Sequence, residues 1–526
     1  MTTTTIPRLR AASAILGLSI GLFLLFAHHL APFVPDDSYI SFRYAEHLGH
    51  GQGLTYNPGE PPVEGYSNLL WILLCAPLAG AGLELAVWAP RLGVALGVLS
   101  LGLLWLMLVR RGTSLHHLAL VLLLFATSGP CVLYAVSGLE TPLGSFLLLA
   151  AMFAAERVFA AKRGWLPVLA LAGILFALCR PEGGLLFPAT LTLLLLARNR
   201  RYRAAEIVFA CALFLVAMAA YQAWRVSYFH APLPTPFLSK GTIGTSLAGT
   251  WLANLRCLFL RQNHFFAPFG YYHGTLITAA ILAVRAEARR QRQLPFAAVP
   301  VAIALLYGAI YFQFVDWMPG MRYFVPLVGL ALVALGGGGD LANGRLRSGS
   351  STPADLLTAY ALVLAIGLSS VAVLKLDSRR NEASTRRCLV ELGSWLHQNV
   401  PSRSTLAMSD VGATPYYSEL KTIDINPRSL TDRQIAHAGW SDRYFFQCAP
   451  DVVVLVSFST AKPVFYRVHQ RLFDSPRFQR EYRLIGITRY DCVQDRAYWV
   501  FAADSIRLRK EQLASFPAGI GRRPES

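Results

Sequence analysis

Long apolar segments recur through about the first 375 residues of this 526-residue chain, and they restrict its fold more than any other feature. Runs such as LALVLLLFAT and LTLLLLA lack the polar residues that interrupt the helices and strands of a soluble domain. Charged residues make up only 15% of the chain, whereas a soluble domain has about a quarter. Because about 20 apolar residues in a helix cross a bilayer, the sequence predicts a polytopic α-helical membrane protein.

Eleven segments are predicted to span the membrane. The first has Arg8 and Arg10 before it and no small-residue cleavage site after it, so we expect a retained signal-anchor helix. A further apolar segment at 67–82 is either a full span or a half-helix. The eleven spans lie at residues 13–31, 87–109, 117–136, 142–160, 166–179, 183–197, 206–224, 272–285, 297–315, 322–336 and 355–375.

The positive charges decide how segment 67–82 is interpreted. If it does not cross, all the basic clusters between apolar segments fall on one side of the membrane, and if it crosses, every cluster after the first changes side. Short basic loops stay in the cytoplasm. The sequence therefore favours a half-helix, a multi-pass protein of the cytoplasmic (inner) membrane, an N-terminus inside and a periplasmic or otherwise extracytoplasmic C-terminal domain. The clusters are Arg8/Arg10, Arg110/Arg111, Lys162/Arg163, Arg198/Arg200/Arg201/Arg203, Arg285/Arg289/Arg290/Arg292 and Arg345/Arg347.

The net charge of +18 has the same explanation. Most basic residues of the first part stand between apolar segments, where they act as topology signals, so we expect no nucleic-acid partner. With this topology, the polar motifs without an arginine cluster fall on the outer face and predict one composite site there. These motifs are the acidic loop 34–68, SGLETP at 137–142, CRPEG at 179–183, the loop 225–271 with LPTPFLSKG, and VDWMPGMRYF at 315–324.

The character of the chain changes after residue 375. Residues 1–375 are predicted to form the transmembrane domain, in which 34–82 is the first external loop with interfacial helices, and 376–526 form an extracytoplasmic domain. Residues 386–399 have the pattern of an amphipathic helix, and 460–474 are also helical in pattern. Strands are predicted at 404–410, 451–457, 482–490 and 497–504, which indicates a small α/β or α+β domain.

Two adjacent carboxylates, Asp36 and Asp37, stand at the start of a predicted helix in the first external loop. Acids at a helix start can simply cap it. Capping needs only one of them, and ionisable groups beside a membrane are costly unless they have a function. One of the two could deprotonate a hydroxyl or hold a divalent metal ion. The aromatic residues Tyr39, Phe42 and Tyr44 favour a helix that lies in the interface plane.

The outer motifs also contain cations and further acids. Arg180 could pair with Glu182 or bind a phosphate. Lys240 is either an interfacial lysine or an anion ligand, and Arg322 begins a membrane helix from outside, where positive charge is disfavoured. Glu60 and Glu64 lie in a turn-rich loop and are either solvated acids or part of the site. This mixture suits a substrate with a phosphate leaving group and a hydroxyl nucleophile.

The chain has no Walker loop, no GxGxxG after a strand, no HExxH and no GxSxG. These absences argue against a nucleotide cofactor. Without a nucleotide site, and with an external active face, a lipid-linked substrate is the natural source of an activated group.

Six motifs resemble the GT-C membrane glycosyltransferases that use polyprenyl-phosphate sugars, and above all the mycobacterial terminal β-arabinofuranosyltransferase type. The first-loop block is the most specific, and PTPFLSK departs from the Asn-Thr-Phe form that is commoner in the family. The motifs are PDDSYISFRYAEHLGHGQGLTYNPGEPPVEGYSNLLW, SGLETPL, RPEG, PTPFLSKG, RYFVPL and DVGATPYYS.

The resemblance implies a GT-C-like fold and transfer of a sugar, D-arabinofuranose, from a polyprenyl-phosphate donor to a glycan or protein acceptor. Asp36 and Asp37 match the paired acids of the first external loop. They would supply the base or position the acceptor, with a divalent cation (Mg, Mn or Ca) as a possible cofactor. The substrate-binding candidates in these motifs are Tyr39, Arg43, Glu60, Glu64, Tyr66, Asn68, Glu140, Arg180, Glu182, Lys240, Arg322 and Tyr323.

Three other functions compete with this one. A protein O-mannosyl-type transferase would differ only in donor and acceptor. A transporter or flippase of lipid-linked sugars should carry ionisable residues near the bilayer centre and repeated halves, neither of which is evident. A scaffold that binds a partner through its outer domain leaves the paired acids unexplained.

Overall fold

The computed structural model describes residues 5–196, 202–239, 318, 322–337, 371, 372, 374, 375, 378, 379, 382–459, 462–490 and 496–517. The chain divides into two compact units. The first comprises Met1–Pro32, Ala89–Ala223 and Thr242–Leu376, and the second comprises Phe33–Trp88, Trp224–Gly241 and Asp377–Ser526.

The described part up to residue 337 is helical. Its helices are α1 (Thr5–Leu30), α2 (Asp36–Gly49), α3 (Leu69–Gly80), α4 (Leu85–Arg110), α5 (Leu115–Ala126), α6 (Gly129–Ala135), α7 (Thr141–Phe159), α8 (Trp165–Cys179), α9 (Leu186–Leu196), α10 (Ala204–Phe229), α11 (Thr235–Ser239) and α12 (Val325–Gly337). Single 3₁₀ turns at Pro181–Leu185 and Arg322–Phe324 precede α9 and α12.

Four of these helices, α1, α4, α7 and α10, are long and apolar enough to cross a membrane. The pair α5 and α6, bent by 53° at a short break, gives a fifth candidate span. The predicted spans at 166–179, 183–197 and 322–336 correspond to apolar helices that are shorter than a full span. Those at 272–285 and 297–315, and all but the last residues of 355–375, lie outside the described residues, so the count of eleven stays a prediction. A multi-pass membrane protein is confirmed.

Segment 67–82 contains only the 12-residue helix α3. At about 1.5 Å per residue such a helix is about 18 Å long, whereas the hydrocarbon core of a bilayer is about 30 Å thick. Pro77 lies inside α3, where it removes one backbone hydrogen bond. The length of α3 agrees with the predicted half-helix.

The last 150 residues or so of the second unit contain a five-stranded mixed sheet in the order β2-β1-β3-β5-β4. β1 pairs in parallel with β2 and β3, whereas β5 pairs antiparallel with β3 and β4. Along the chain follow a π-helix (Thr385–Val390), α13 (Glu391–Asn399), β1 (Thr405–Met408), α14 (Ala413–Ser418), β2 (Lys421–Asp424), α15 (Arg433–Ala438), α16 (Asp442–Cys448), β3 (Val452–Ser457), α17 (Arg467–Phe473), α18 (Pro476–Glu481), β4 (Tyr482–Tyr490), β5 (Arg496–Ala503) and α19 (Lys510–Ala514).

The four predicted strands are present as β1, β3, β4 and β5, and the predicted small α/β or α+β domain is confirmed. Strand β2 was not predicted from the sequence. It has only four residues, KTID, and this segment is too short and too polar to be distinguished from a loop by its hydrophobic pattern. The central strand β3 is buried along its whole length, which is typical of a strand covered on both faces.

The first external loop packs within the second unit. Residues Ser38 to Ala45 of α2 are all buried, and the helix contacts α3 and α14. The ring of Tyr39 lies 5.4 Å from that of Tyr416, and the ring of Tyr44 lies 4.8 Å from that of Tyr66. Packing within the protein therefore explains the aromatic residues from which we predicted an interfacial helix.

Candidate active site

Asp36 is held by the loop that follows β1. Pro35 directly precedes α2, and the carboxylate of Asp36 in the first turn accepts a hydrogen bond from the backbone N–H of Ala413 at 2.7 Å. Gly412 lies so close that a Cβ there would collide with the backbone oxygen and the carboxyl group of Asp36. Residues 36 and 413 are thus brought into contact by the fold, and glycine at 412 is required for that contact.

The environment of Asp36 favours its neutral form. Burial raises the pKa of its carboxyl group well above the usual value, and the negative charges of Asp410 and Asp37 add to the effect, against the hydrogen bonds from Ala413 and Gly412. As whole residues, Asp36 and Asp37 are both half-buried. The carboxylate of Asp410 accepts a hydrogen bond from the Tyr498 hydroxyl at 2.7 Å. Asp36 therefore carries a buried carboxyl group whose pKa is raised in the direction that suits a general base.

Arg43 has a structural role in the same unit. It is 3% exposed. Its guanidinium donates to the backbone oxygens of Tyr56 at 2.9 Å and Leu420 at 2.8 Å, and also to that of Pro415. It lies 4.7 Å from the centroid of the Tyr56 ring. These contacts join α2 to the segment between α14 and β2.

The remaining first-loop candidates contact other residues of the protein, and all of these contacts except that of Glu60 are buried. Glu64 forms an ion pair of 2.9 Å with Arg225, a residue that we did not single out from the sequence. Tyr66 is buried against the ring of Tyr44, and the side-chain amide of Asn68 donates to the Ser41 hydroxyl at 3.0 Å. Glu60, which is more exposed, forms an ion pair of 2.5 Å with Lys421.

Asn57 covers the edge strand β2. Its side-chain carbonyl accepts from the backbone N–H of Thr422 at 3.0 Å, and its amide donates to the backbone oxygen of Thr422 at 2.8 Å. The amide also donates to Glu60 at 2.9 Å. One side chain thus replaces a neighbouring strand, and it satisfies backbone groups that an edge strand leaves unpaired.

The substitution Asn57→Ala should therefore lower the free energy of unfolding by about 1–3 kcal/mol, because it leaves buried backbone groups of Thr422 without partners. Thermal or denaturant unfolding of the full chain measures the effect. Gln447→Ala, an exposed change on α16, should stay within about 0.5 kcal/mol. Equal stabilities of Asn57→Ala and the wild type would contradict this role.

A second group of candidate residues lies in the first unit and is centred on Glu140. The carboxylate of Glu140 accepts from Arg322 at 2.7 and 2.9 Å and from Arg180 at 3.0 Å. Arg180 also donates to Glu182 at 2.6 Å. The guanidinium carbons of Arg180 and Arg322 lie 5.4 and 5.8 Å from the centroid of the Tyr323 ring. We call these five residues the Glu140 cluster.

Local sequence places the members of the Glu140 cluster. Arg180 precedes Pro181, which disfavours helical backbone at the residue before it, so α8 ends at Cys179 and Arg180 is extended. Gly144 leaves room for Arg180, since a Cβ there would lie 3.1 Å from its Cδ. Glu140 directly precedes α7. Burial raises the pKa of Glu140, but Arg322 and Arg180 outweigh burial and lower it to about 2.

The Glu140 cluster is an anion-binding candidate. Two guanidinium groups share one carboxylate, and both are buried. A planar guanidinium that is already desolvated and oriented is suited to phosphate recognition. Lys240, the third predicted cation, lies outside the described residues.

Solved structures resemble the chain over almost its whole length. ArnT from Cupriavidus metallidurans in the apo state matches with a TM-score of 0.60 and 14% identity, over 95% of this chain and 100% of that one. ArnT from Cupriavidus metallidurans bound to undecaprenyl phosphate matches with a TM-score of 0.59 and 12% identity, over 95% of this chain and 99% of that one. The chain has the GT-C membrane fold. The fold that the motifs predict is therefore confirmed.

Two further comparisons are weaker. Arabinofuranosyltransferase AftD from Mycobacteria matches this chain with a TM-score of 0.48 and 15% identity, over 93% of this chain and 40% of that one. A domain of unknown function, DUF8728, matches residues 376–501. No curated protein matches the chain.

Within this GT-C fold, a metal ion at Asp36 and Asp37 stays a prediction. The described residues contain no group of three or more His, Cys, Asp or Glu side chains that could hold a metal ion. Asp36 is instead bound by backbone N–H groups. The proposed mechanism uses the protein's own groups only.

Sequence reasoning missed two residues that the structure places at these sites. Asp410 stands in the quoted motif DVGATPYYS, yet the motif alone assigns it no role. Arg225 lies within an apolar helix with no motif around it, so nothing in the sequence indicates that it pairs with Glu64.

Proposed function

We propose that this protein transfers a sugar from a polyprenyl-phosphate donor to a hydroxyl group of a cell-envelope glycan or protein. The observation that carries the proposal is Asp36, a half-buried residue whose carboxyl group is anchored by Ala413 in a chain with the GT-C fold. Its raised pKa brings it closer to that of an effective general base at neutral pH.

In the reaction, the Asp36 carboxylate accepts the proton of the acceptor hydroxyl. The acceptor oxygen then forms a bond to the anomeric carbon of the sugar. The bond between that carbon and the phosphate oxygen breaks, and its electron pair leaves with the lipid phosphate. Asp37, the neighbouring carboxylate, helps to orient the acceptor.

For the lipid phosphate we propose Arg180 and Arg322. They are the buried cations of the Glu140 cluster, and Glu140 holds both guanidinium groups in fixed positions before the donor binds. Support comes from the ArnT structure that binds undecaprenyl phosphate and has a similar fold.

The proposal places the active face outside the cytoplasmic membrane, with the N-terminus inside. A reporter fused after residue 82 should then be active outside, and a cytoplasmic signal would contradict this orientation.

We further propose D-arabinofuranose as the transferred sugar, on the strength of the motif resemblance. The test uses the purified chain in lipid nanodiscs with decaprenyl-phosphoryl-D-arabinofuranose and, separately, polyprenyl-phosphoryl-mannose. Release of lipid phosphate and formation of a new glycosidic bond from the arabinose donor alone is the expected result. Transfer from the mannose donor alone would overturn the sugar assignment, and no transfer from either would overturn the proposed function.

The pH dependence of transfer should reveal the charge interaction between Asp36 and Asp410. A base must be deprotonated, so kcat/KM should rise as the pH rises through the raised pKa of Asp36. Asp410→Asn removes a neighbouring negative charge, lowers that pKa, and should move the acidic limb of the profile to lower pH.

Asp504→Asn provides the control, because Asp504 is an exposed acid of the second unit that is not among the groups that shift the pKa of Asp36. Its profile should coincide with that of the wild type. An acidic limb that stays in place or moves to higher pH in Asp410→Asn would contradict the role of Asp410.

A further inference from the structure

A groove of about 760 Å³, lined by 12 polar and 4 apolar residues, lies within the second unit, separate from the contacts of Asp36. Its walls come from the first external loop around Asn57 and Glu60, from β2 at Lys421, and from α15 and α16. This volume is within the range of small-molecule binding sites, about 300–1,000 Å³. Asp36, Asp37, Arg180 and Arg322, to which the proposed mechanism gives roles, do not line it, whereas Glu60, a substrate-binding candidate from the motifs, does.

The floor of the groove is fixed by the fold. Asn57 pairs with both backbone groups of Thr422, and Glu60 pairs with Lys421. The Tyr444 hydroxyl donates to Asp432 at 3.0 Å. Asp432 in turn accepts from the backbone N–H of Ile435 and so caps α15. These contacts hold the groove in shape before a ligand binds.

The charges that line the groove are balanced. Glu60 and Asp432 are acidic, whereas Lys421 and Arg433 are basic. Arg433 is the only arginine among the lining residues, so the groove lacks the two converging guanidinium groups that the Glu140 cluster offers to a phosphate, and its balanced charge does not favour a polyanion. A site for a lipid chain needs an apolar lining, but only Pro61, Val63, Ile423 and Cys448 among the 16 lining residues are apolar. A neutral, strongly hydrogen-bonding ligand fits this lining.

One wall offers hydrogen-bonding groups that the protein does not use. Arg433, Gln434 and His437 are exposed on the short helix α15, whose Ile435 faces the core. Their side chains make no hydrogen bond to another residue in the described part of the chain. They supply planar donors and acceptors of the kind that can pair with adjacent hydroxyl groups.

We propose that this groove binds a neutral oligosaccharide as the glycan acceptor of the transfer reaction. Only one part of this inference rests on the proposed function, namely that the bound glycan is the acceptor of the transfer reaction. The class of ligand, an uncharged polyhydroxylated chain, follows from the balanced charge, the polar lining and the three unused side chains of α15.

Binding can be measured without transfer, on the full chain in nanodiscs, by saturation-transfer difference NMR. The probes are a linear arabinofuranosyl pentasaccharide, an oligogalacturonate of equal length, and a Ser/Thr-rich peptide. We expect binding of the neutral pentasaccharide alone. The double variant Gln434→Ala/His437→Ala should weaken it about tenfold or more, since it removes two hydrogen-bonding side chains.

A matched control is available on α13, where His397 and Gln398 are exposed and lie outside the groove. The variant His397→Ala/Gln398→Ala should bind the pentasaccharide as the wild type does. Equal weakening in both double variants, or binding of the oligogalacturonate or the peptide in place of the pentasaccharide, would overturn the inference.

The two proposals fail in distinguishable ways. Pentasaccharide binding that Gln434→Ala/His437→Ala weakens, without any transfer from a lipid donor, would support the groove as a glycan site and contradict the proposed function. Transfer to the pentasaccharide with an unchanged KM in that variant would support the proposed function and overturn the groove as the acceptor site.

Discussion

Replacing Asp36 by asparagine should lower the rate of sugar transfer by about 10²- to 10⁴-fold, the range that a general base contributes. Asparagine retains an oxygen that can accept the hydrogen bond from Ala413, so the contact with the loop after β1 survives. What disappears is the ability to take a proton from the acceptor hydroxyl. Single-turnover transfer from a lipid-linked donor measures the chemical step directly.

Asp37→Asn is the matched comparison, because the two acids are adjacent and both are half-buried. If Asp36 is the base, Asp37→Asn should change KM more than kcat, and its thermal unfolding should equal that of Asp36→Asn. If Asp36→Asn kept full activity and Asp37→Asn lost it, Asp37 would be identified as the base and not Asp36. Full activity of both variants would refute a carboxylate base in the first external loop.

The second large effect is expected at the centre of the Glu140 cluster. Glu140→Gln removes the negative charge that two buried arginines share, with almost no change in shape. Breaking a buried ion pair by removal of one partner costs about 3–5 kcal/mol, because the remaining charge is buried without compensation. Denaturant unfolding of the chain in mixed micelles should show a loss of this size.

A surface pair provides the contrast. Glu481→Gln breaks the exposed pair with Arg477 on α18, whose side chains are about half exposed, and should cost no more than about 1 kcal/mol. The double variant Glu140→Gln/Arg322→Gln should recover part of the lost stability, since it also removes one uncompensated cation. A Glu140→Gln protein as stable as the wild type would show that the cluster is solvated, and would weaken its role as a preformed phosphate site.

The sequence predicted the elements that depend on local pattern. Hydropathy gave the long helices α1, α4, α7 and α10, and alternating or continuous apolar runs gave four of the five strands. The acids of the first loop were predicted to begin a helix, and α2 begins at Asp36. Each of these depends on residues within one or two turns of each other, so the signal is present in a short window of sequence.

Motif reasoning also found residues that the structure brings together. SGLETP, RPEG and MRYF were placed in one external site, and Glu140, Arg180 and Arg322 do form one cluster. The motifs did not reveal which cation pairs with which acid. Arg43, whose role in substrate binding stays a prediction, donates to three backbone oxygens, and a sequence gives no sign of which carbonyls a fold leaves without a partner.

By itself, then, the sequence determined the class of protein, since the free energy of placing apolar helices in a bilayer depends on composition and length. It also determined the short elements of the C-terminal domain through local patterns. The tertiary structure decided the environment of Asp36, whose anchor at Ala413 is 377 positions away, and the partner of Arg322, which is 182 positions away. Desolvation and charge pairing depend on distances in space, and sequence separation does not encode those distances.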